Sequence, residues 1–364
     1  MRVLRAANIS EIPDPEWRWI FDRLPGGGRI ALETFSMRQR STIDRRPGGA
    51  SLGRIAGAIA LRNAARRGAF HVIVSHGPLV GAWSAGLLGP AKGAARHLLF
   101  SFNFTDLPRG LRRRVMREAF RRVDEFAVFT RHERDLYTDY FDIEREKIHV
   151  TRWGVAPPIA APGPKLFGGP YLASLGGEAR DYRTLCEAAR MMPDMRFVVV
   201  ARKANFNDVE PPANMTTLFD LPREKAWSIV AHSAAALLPL RSRDTPCGLV
   251  TLVGSLHLGK AQAVTAASGV SDYVEDGRTA LLTSPGDAAG LAAAARRLIA
   301  EPGLAARLGA AAKTFAQREC SEAATIRFFA DRLAAWFPPS AAPEGGSYKD
   351  EQGEEFEPPK QHHR

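Results

Sequence analysis

Four short segments in the second half of this 364-residue chain carry residue types that bind anions, and each follows an apolar run of strand length. Gly176-Gly177-Glu178-Ala179-Arg180-Asp181 follows Tyr171–Leu175, and Arg202-Lys203 follows Arg196–Ala201. Arg241 follows Ala234–Leu240 and opens a loop that runs through Pro246 to Gly248. A small-residue loop, AASGVSDYVEDG, follows Ala261–Thr265. In open α/β sheets, ligands bind at the carboxyl ends of the strands, so each loop is a candidate. Gly176 and Gly177 either let the backbone approach a ligand without an intervening Cβ or make a tight turn. Arg180 adds charge beside the amides that start the next helix. Arg202 and Lys203 suit a diphosphate, or form a solvated basic turn. Pro246 and Gly248 prepare the start of an apolar helix over Leu249–Leu258. The free amides at Gly248, Leu249 and Val250 would face the loop, where a helix start contributes roughly 0.3–2 kcal/mol per negative charge. Simple helix–sheet packing is the alternative.

These segments must be held by alternating elements. In the first half, strand-like runs at Arg29–Phe35, Phe70–Ser75, Arg96–Phe104, Glu125–Thr130 and Lys147–Thr151 alternate with helix-like runs, notably the Ala-rich Gly53–Arg67. In the second half the four strand runs above, with a short one at Met215–Phe219, alternate with helices. Alternation of this kind implies βαβ units and parallel sheets. The fold class is therefore α/β, with two doubly wound Rossmann-like domains in tandem. The expected domains are residues 1–153 and 171–320, joined by a Pro/Gly-rich linker over 154–170. A helix over 321–337 packs back on the first domain, and a polar tail over 338–364 is too poor in apolar residues to order itself.

The apolar fraction of 45% is that of an ordinary globular chain. No run of about 18 apolar residues suits a membrane span, and the N-terminus lacks the apolar core of a signal peptide. Three scattered cysteines, Cys186, Cys247 and Cys320, give neither a metal spacing nor a disulfide framework and point to a reducing cytoplasm. The net charge of +11 lies mostly in residues 1–150, with about 26 Lys/Arg against about 16 Asp/Glu. Such a surface suits polyanions, phosphate-bearing substrates or an anionic leaflet. Over residues 108–123, Leu111, Val115, Met116, Phe120 and Val123 share one helical face, and Arg113, Arg114, Arg117 and Arg121 the other. That pattern fits an anionic membrane surface or a peripheral helix with a solvated face. Zinc spacing, RNA-recognition aromatics and a polar recognition helix are missing, so no nucleic-acid partner is expected.

The order of the four loops resembles the nucleotide-sugar domain of GT-B fold glycosyltransferases of family 4. GVSDYVEDGRTALL is similar to that family's GxxDxVxDGxxGLL segment, HLGKAQAVT to its xxGxPVV strand, and GGEARDYRTLCEAA to a GGxxRDYxTLxxA variant. FHVIVSHGPLVGAWSAG resembles the acceptor-domain strand and helix. The resemblance runs from about residue 70 to about residue 318 and is specific only in the second domain. It implies a GT-B architecture, a nucleotide-diphospho-sugar donor in the second domain, and a saccharide or lipid-linked saccharide acceptor in the first. Transfer would proceed with retention, without metal or other cofactor, on the cytoplasmic side and peripheral to the plasma membrane. Donor binding would fall to Gly176, Gly177, Arg180, Arg202, Lys203, Arg241, Gly248, Leu249 and Val250. The family's catalytic-site histidine follows the strand that here ends in Ser101-Phe102-Asn103. Asn103, and His76 after the preceding strand, are the local candidates, though His76 can also be read as structural. The family's Glu-x7-Glu pair is replaced by Pro246 and Gly254. The alternative reading is therefore a non-catalytic homologue that binds or scaffolds.

Overall fold

The computed structural model describes residues 3–11, 17–25, 29–37, 49–160, 167–241 and 244–338. The first sheet holds six parallel strands: β1 (Leu4–Ser10), β2 (Ile30–Ser36), β3 (Val72–His76), β4 (Arg96–Phe100), β5 (Glu125–Val128) and β6 (Ile148–Val150), in the order β2-β1-β3-β4-β5-β6. β1 is central, between β2 and β3, yet its Ala-rich segment with an interior arginine, LRAANIS, does not read as a strand in sequence. Arg29–Phe35 is consequently the second strand and not the first. Gly26-Gly27-Gly28 and the tail over 339–364 lie outside the described residues.

One face of this sheet is covered by α2 (Gly49–Arg67), α3 (Pro78–Leu88), α4 (Gly110–Phe120) and α5 (Arg131–Phe141). Phe102, just past β4, is fully buried there, with ring centroids 4.8–5.0 Å from Phe126, Phe120 and Tyr137. Each such ring contributes up to about 3 kcal/mol through burial. The opposite face is covered by α1 (Arg18–Asp22) and by a helix from the far end of the chain, which brings Phe329 against Phe100 and Phe21.

The second sheet is also parallel: β7 (Tyr171–Leu175), β8 (Arg196–Ala201), β9 (Met215–Phe219), β10 (Ala235–Leu238), β11 (Gln262–Thr265) and β12 (Leu281–Thr283), in the order β12-β11-β10-β7-β8-β9. Order reverses beside β7, which places a crevice between the carboxyl ends of β7 and β10. Here α6 (Tyr182–Arg190) and α9 (Ala288–Ala300) cover one face. The other is covered by α7 (Arg223–His232), α8 (Leu249–His257) and α10 (Pro302–Glu319). Burial on both faces explains why these strands are continuous apolar runs such as FVVV and AALL. The returning helix is α11 (Glu322–Trp336), capped by Ser321, whose side chain accepts from Ala324 N.

Candidate functional site

The loop after β7 is built around a buried arginine. Arg180 is 4% exposed; its Nε donates to Leu175 O (3.1 Å), Nη1 to Glu178 O (2.8 Å) and Nη2 to Thr251 Oγ1 (2.8 Å). The last bond reaches the first turn of α8, so one guanidinium ties the β7 loop to that helix start. Burial lowers its pKa, but a guanidinium remains charged at neutral pH. The two glycines make room for arginines. A Cβ on Gly176, at φ +126°, would collide with the Arg180 guanidinium, and one on Gly177 would stand 2.6 Å from Arg202 Cγ. Gly248, at φ +79°, offers α8 no capping side chain, and a Cβ there would lie 3.2 Å from Arg180 Nη1.

Backbone bonds zip this loop to the one after β10: Asp181 N donates to Pro239 O (3.1 Å) and Arg241 N to Ala179 O (3.0 Å). Arg202 is exposed and paired with Glu178 (3.3 Å). Its loop is fixed by Asn205, whose Nδ2 donates to Gly177 O (2.8 Å). Lys203 and Arg241 are exposed beside these loops, and Val250 is 56% exposed in the first turn of α8. The chain thus brings Gly176, Gly177, Arg180, Arg202, Arg241, Gly248, Leu249 and Val250 to the carboxyl ends of β7, β8 and β10. Positive charge and free helix amides converge there, a combination that neutralises a phosphate or diphosphate. A cavity of about 500 Å3 adjoins it, lined by Arg241 and by Asp181, Arg183, Asn205 and Asp208. Sequence reasoning did not single out the last four, because only the fold brings these short-range polar residues to one wall. Among the described residues, no group of three His, Cys, Asp or Glu side chains could hold a metal ion.

Pro246 and Gly254, where the resembled family carries its paired glutamates, are packed differently. Gly254 is buried in α8, and a Cβ there would stand 2.6 Å from Cζ2 and 2.8 Å from Cζ3 of Trp227. The Trp227 indole, 4% exposed, occupies the space a longer side chain would need. Pro246 packs against Gly269 on the neighbouring loop.

In the first domain, His76 ends β3 and is 6% exposed. Its Nε2–H donates to Asn8 Oδ1 (2.6 Å), and its ring stacks on Trp17 with centroids 4.3 Å apart. Burial pushes its pKa down to about 3, so the imidazole is neutral. Asn103 is exposed in the loop after β4, and its Oδ1 accepts from Ser101 Oγ (3.2 Å). The strand ends at Phe100, short of the Phe104 read from sequence, because Ser101 takes φ +58° and turns the chain. A non-glycine residue in that region stores strain, which recurs at functional loops.

Contacts across the cleft fix one domain against the other. Asp272 and Tyr273, from the loop after β11, insert at the carboxyl ends of the first sheet. Asp272 Oδ2 accepts from Arg131 N at the start of α5 (2.7 Å), and its other oxygen pairs with the Arg131 side chain. The Tyr273 hydroxyl donates to Phe129 O (2.8 Å) and accepts from Trp153 N (2.9 Å). The approach to α8 is held as well: Thr245 Oγ1 donates to Thr105 O (2.7 Å) and His132 Nε2 to Asp244 O (2.6 Å). Beneath this contact Glu133 is buried against Phe129 N and Thr130, and burial pushes its carboxyl up to about 7.

The arginine-rich α4 does not divide as its sequence pattern suggested. Met116, Ala119 and Phe120 are buried, but Leu111 and Val115 are 76% and 60% exposed, flanked by exposed Arg112 and Arg114. Arg113 donates to Tyr140 O and Arg117 pairs with Asp142, so part of the basic face serves the fold. Among the described residues, no helix is long and apolar enough to cross a membrane.

Residues 25–157 match the family model described as Glycosyltransferase Family 4. Among curated proteins no sequence matches significantly. Solved structures are similar over most of the chain. A glycosyltransferase from Rickettsia africae is 10% identical with a TM-score of 0.68, covering 93% of this chain and 100% of its own. HepE from Anabaena, solved in complex with UDP, is 14% identical with a TM-score of 0.68, covering 91% and 100%. Sucrose-phosphate synthase from Thermosynechococcus elongatus is 13% identical with a TM-score of 0.68, covering 92% and 99%. At these identities the likeness is one of fold, and the fold is GT-B.

Proposed function

We infer that this GT-B chain, which resembles glycosyltransferase family 4, transfers a sugar from a nucleotide-diphospho-sugar to an acceptor held by the first domain. The observation that carries this reading is the buried Arg180 clamped to the open start of α8, with Arg202, Lys203 and Arg241 around it. Catalysis would rest on stabilising the departing diphosphate. As the acceptor hydroxyl oxygen bonds to the anomeric carbon, the bond from that carbon to the β-phosphate oxygen breaks, and the hydroxyl proton passes to the diphosphate. Preorganised charge and helix amides aimed at a developing anion commonly contribute several kcal/mol. No resident metal is needed for that role. HepE was solved with UDP-glucose as well as UDP, which supports a nucleotide-sugar donor. Retention, a hexosyl donor, and a bacterial cell-surface polysaccharide or glycolipid as the product are part of the same proposal. Of the two first-domain candidates, Asn103 is exposed and would meet an acceptor, whereas His76 would act from behind the surface.

The test is a binding and turnover screen with UDP, GDP, ADP and their sugars. At least one nucleotide should raise the Tm, and its sugar form should be hydrolysed slowly or transferred. The reading fails if none stabilises the protein. Binding without any turnover favours the non-catalytic homologue, which the replacement of both glutamates and the indole behind Gly254 support.

The reaction would take place at the cytoplasmic face of the membrane, with α4 as the docking element. Leu111 and Val115 would enter the interface while Arg112 and Arg114 meet anionic headgroups, at about 1 kcal/mol per basic residue. Leu111→Ser with Val115→Ser should weaken sedimentation with phosphatidylglycerol-containing vesicles about tenfold. Equal binding by wild type and variant, or to neutral vesicles, removes α4 from that role.

A further inference from the structure

Five aromatic side chains meet between the two domains at a place the donor reading does not use. A cavity of about 410 Å3 is lined by Trp17, Trp19, Phe100, Phe129 and Trp153, and the linker residues 154–159 close one side. Arg223, Glu224 and Glu322 complete its wall. The aromatic walls are braced. Trp153 meets Phe129 edge-on at 4.8 Å, Trp17 meets Phe100 at 5.9 Å, and Arg23 holds Glu322. Leu249, the first residue of α8, packs against the cluster containing Phe100 and Phe129. The start of α8 therefore touches the aromatic cluster behind the cavity without lining it.

The chemistry of the lining selects an occupant. Indoles and phenyl rings offer negative faces that attract C–H groups, while two carboxylates and a guanidinium offer hydrogen bonds at the margin. A hydrocarbon chain would use the rings and leave the charges unmatched. Three buried nitrogens in and behind the wall also have no protein partner: Trp17 Nε1, Trp153 Nε1 and His76 Nδ1. They lie behind the exposed lining, so the hydroxyl-binding groups that an occupant meets are Arg223, Glu224 and Glu322 at the margin. The volume admits one or two six-membered rings.

We propose that this cavity is a saccharide subsite in which a pyranose ring of the acceptor lies against the tryptophans while Arg223, Glu224 and Glu322 bind its hydroxyls. That the sugar is an acceptor rests on the transferase reading, so the test keeps the two apart. The full chain is titrated with the methyl pyranosides of glucose, galactose, mannose and N-acetylglucosamine, and with maltose, cellobiose and lactose. Intrinsic tryptophan fluorescence and calorimetry report binding, with and without UDP. At least one saccharide should bind saturably and quench the fluorescence. Trp19→Ala should weaken it fivefold or more, and Glu224→Gln, an exposed change that spares the core, about threefold. Neither should alter UDP affinity more than twofold. Absence of binding by every saccharide overturns the subsite, as does wild-type affinity in both variants, or binding of octyl glucoside without any methyl glycoside. UDP binding with no saccharide binding leaves the donor reading standing alone. Saccharide binding with no nucleotide binding leaves the subsite and removes the transferase.

Discussion

Placing a glutamate at position 254, where the resembled family carries one, is expected to destabilise the protein by about 3 kcal/mol or more. The new Cβ would enter the Trp227 ring, and overpacking of this kind costs about 1–3 kcal/mol before any charge is considered. The carboxylate would also be buried inside α8 against the Trp227 indole, which adds a penalty of similar size. Domains have roughly 5–15 kcal/mol in hand, so the loss is readily measured by urea denaturation at constant m-value. Trp227→Ala should itself cost about 3–5 kcal/mol. The two changes should be far from additive, because removing the indole vacates the space the glutamate needs. Wild-type stability in Gly254→Glu would mean that Trp227 yields easily and that Gly254 is not a packing choice.

Arg180→Met should reduce nucleotide affinity about 30-fold or more. The substitution keeps an unbranched stem but removes a charge, two bonds within the β7 loop and the one bond that joins that loop to α8. Hydrogen bonds to charged groups contribute about 1.5–3 kcal/mol each, so a Tm decrease should accompany the loss. Arg180→Lys separates the effects: it restores charge without the fork, and should recover part of the affinity but little of the stability. Calorimetric titration with UDP or whichever nucleotide the screen selects provides the measurement. Unchanged affinity in Arg180→Met would place the phosphate elsewhere.

How much of this was legible differs between the domains for physical reasons. The second sheet is apolar on both faces, so FVVV and AALL stand out, and the polar loops between them mark the crevice. β1 was hidden because LRAANIS is rich in alanine and carries Arg5, whose side chain pairs with Glu33 on β2. β12 was missed because three residues give no period. Gly176 and Gly177 do lie in the loop after β7, but what they admit is arginine: Arg180 of the same loop and Arg202 from the loop after β8, the second of which has no local signature. Asp272 and Tyr273 lie in GVSDYVEDGRTALL, which the sequence reading took for donor-site pattern, yet the family-model match falls on residues 25–157 and the contacts of these two residues are to the other domain. Nothing local distinguishes a residue that meets a ligand from one that meets a partner domain. Trp227 opposite Gly254 is a contact across 27 positions and has no local signature at all.

The return of α11 has a consequence for synthesis. The first sheet is finished at Val150, but its Phe100 and Phe129 face is completed by a helix beginning at Glu322, about 170 residues later. At roughly 5–20 residues per second, the ribosome takes on the order of 10–30 s to supply it. During that interval the second domain can close on itself while the first waits with an apolar face uncovered. The amino-terminal domain is therefore the last to be completed, and a nascent chain stalled before α11 would expose an aromatic surface that chaperones recognise.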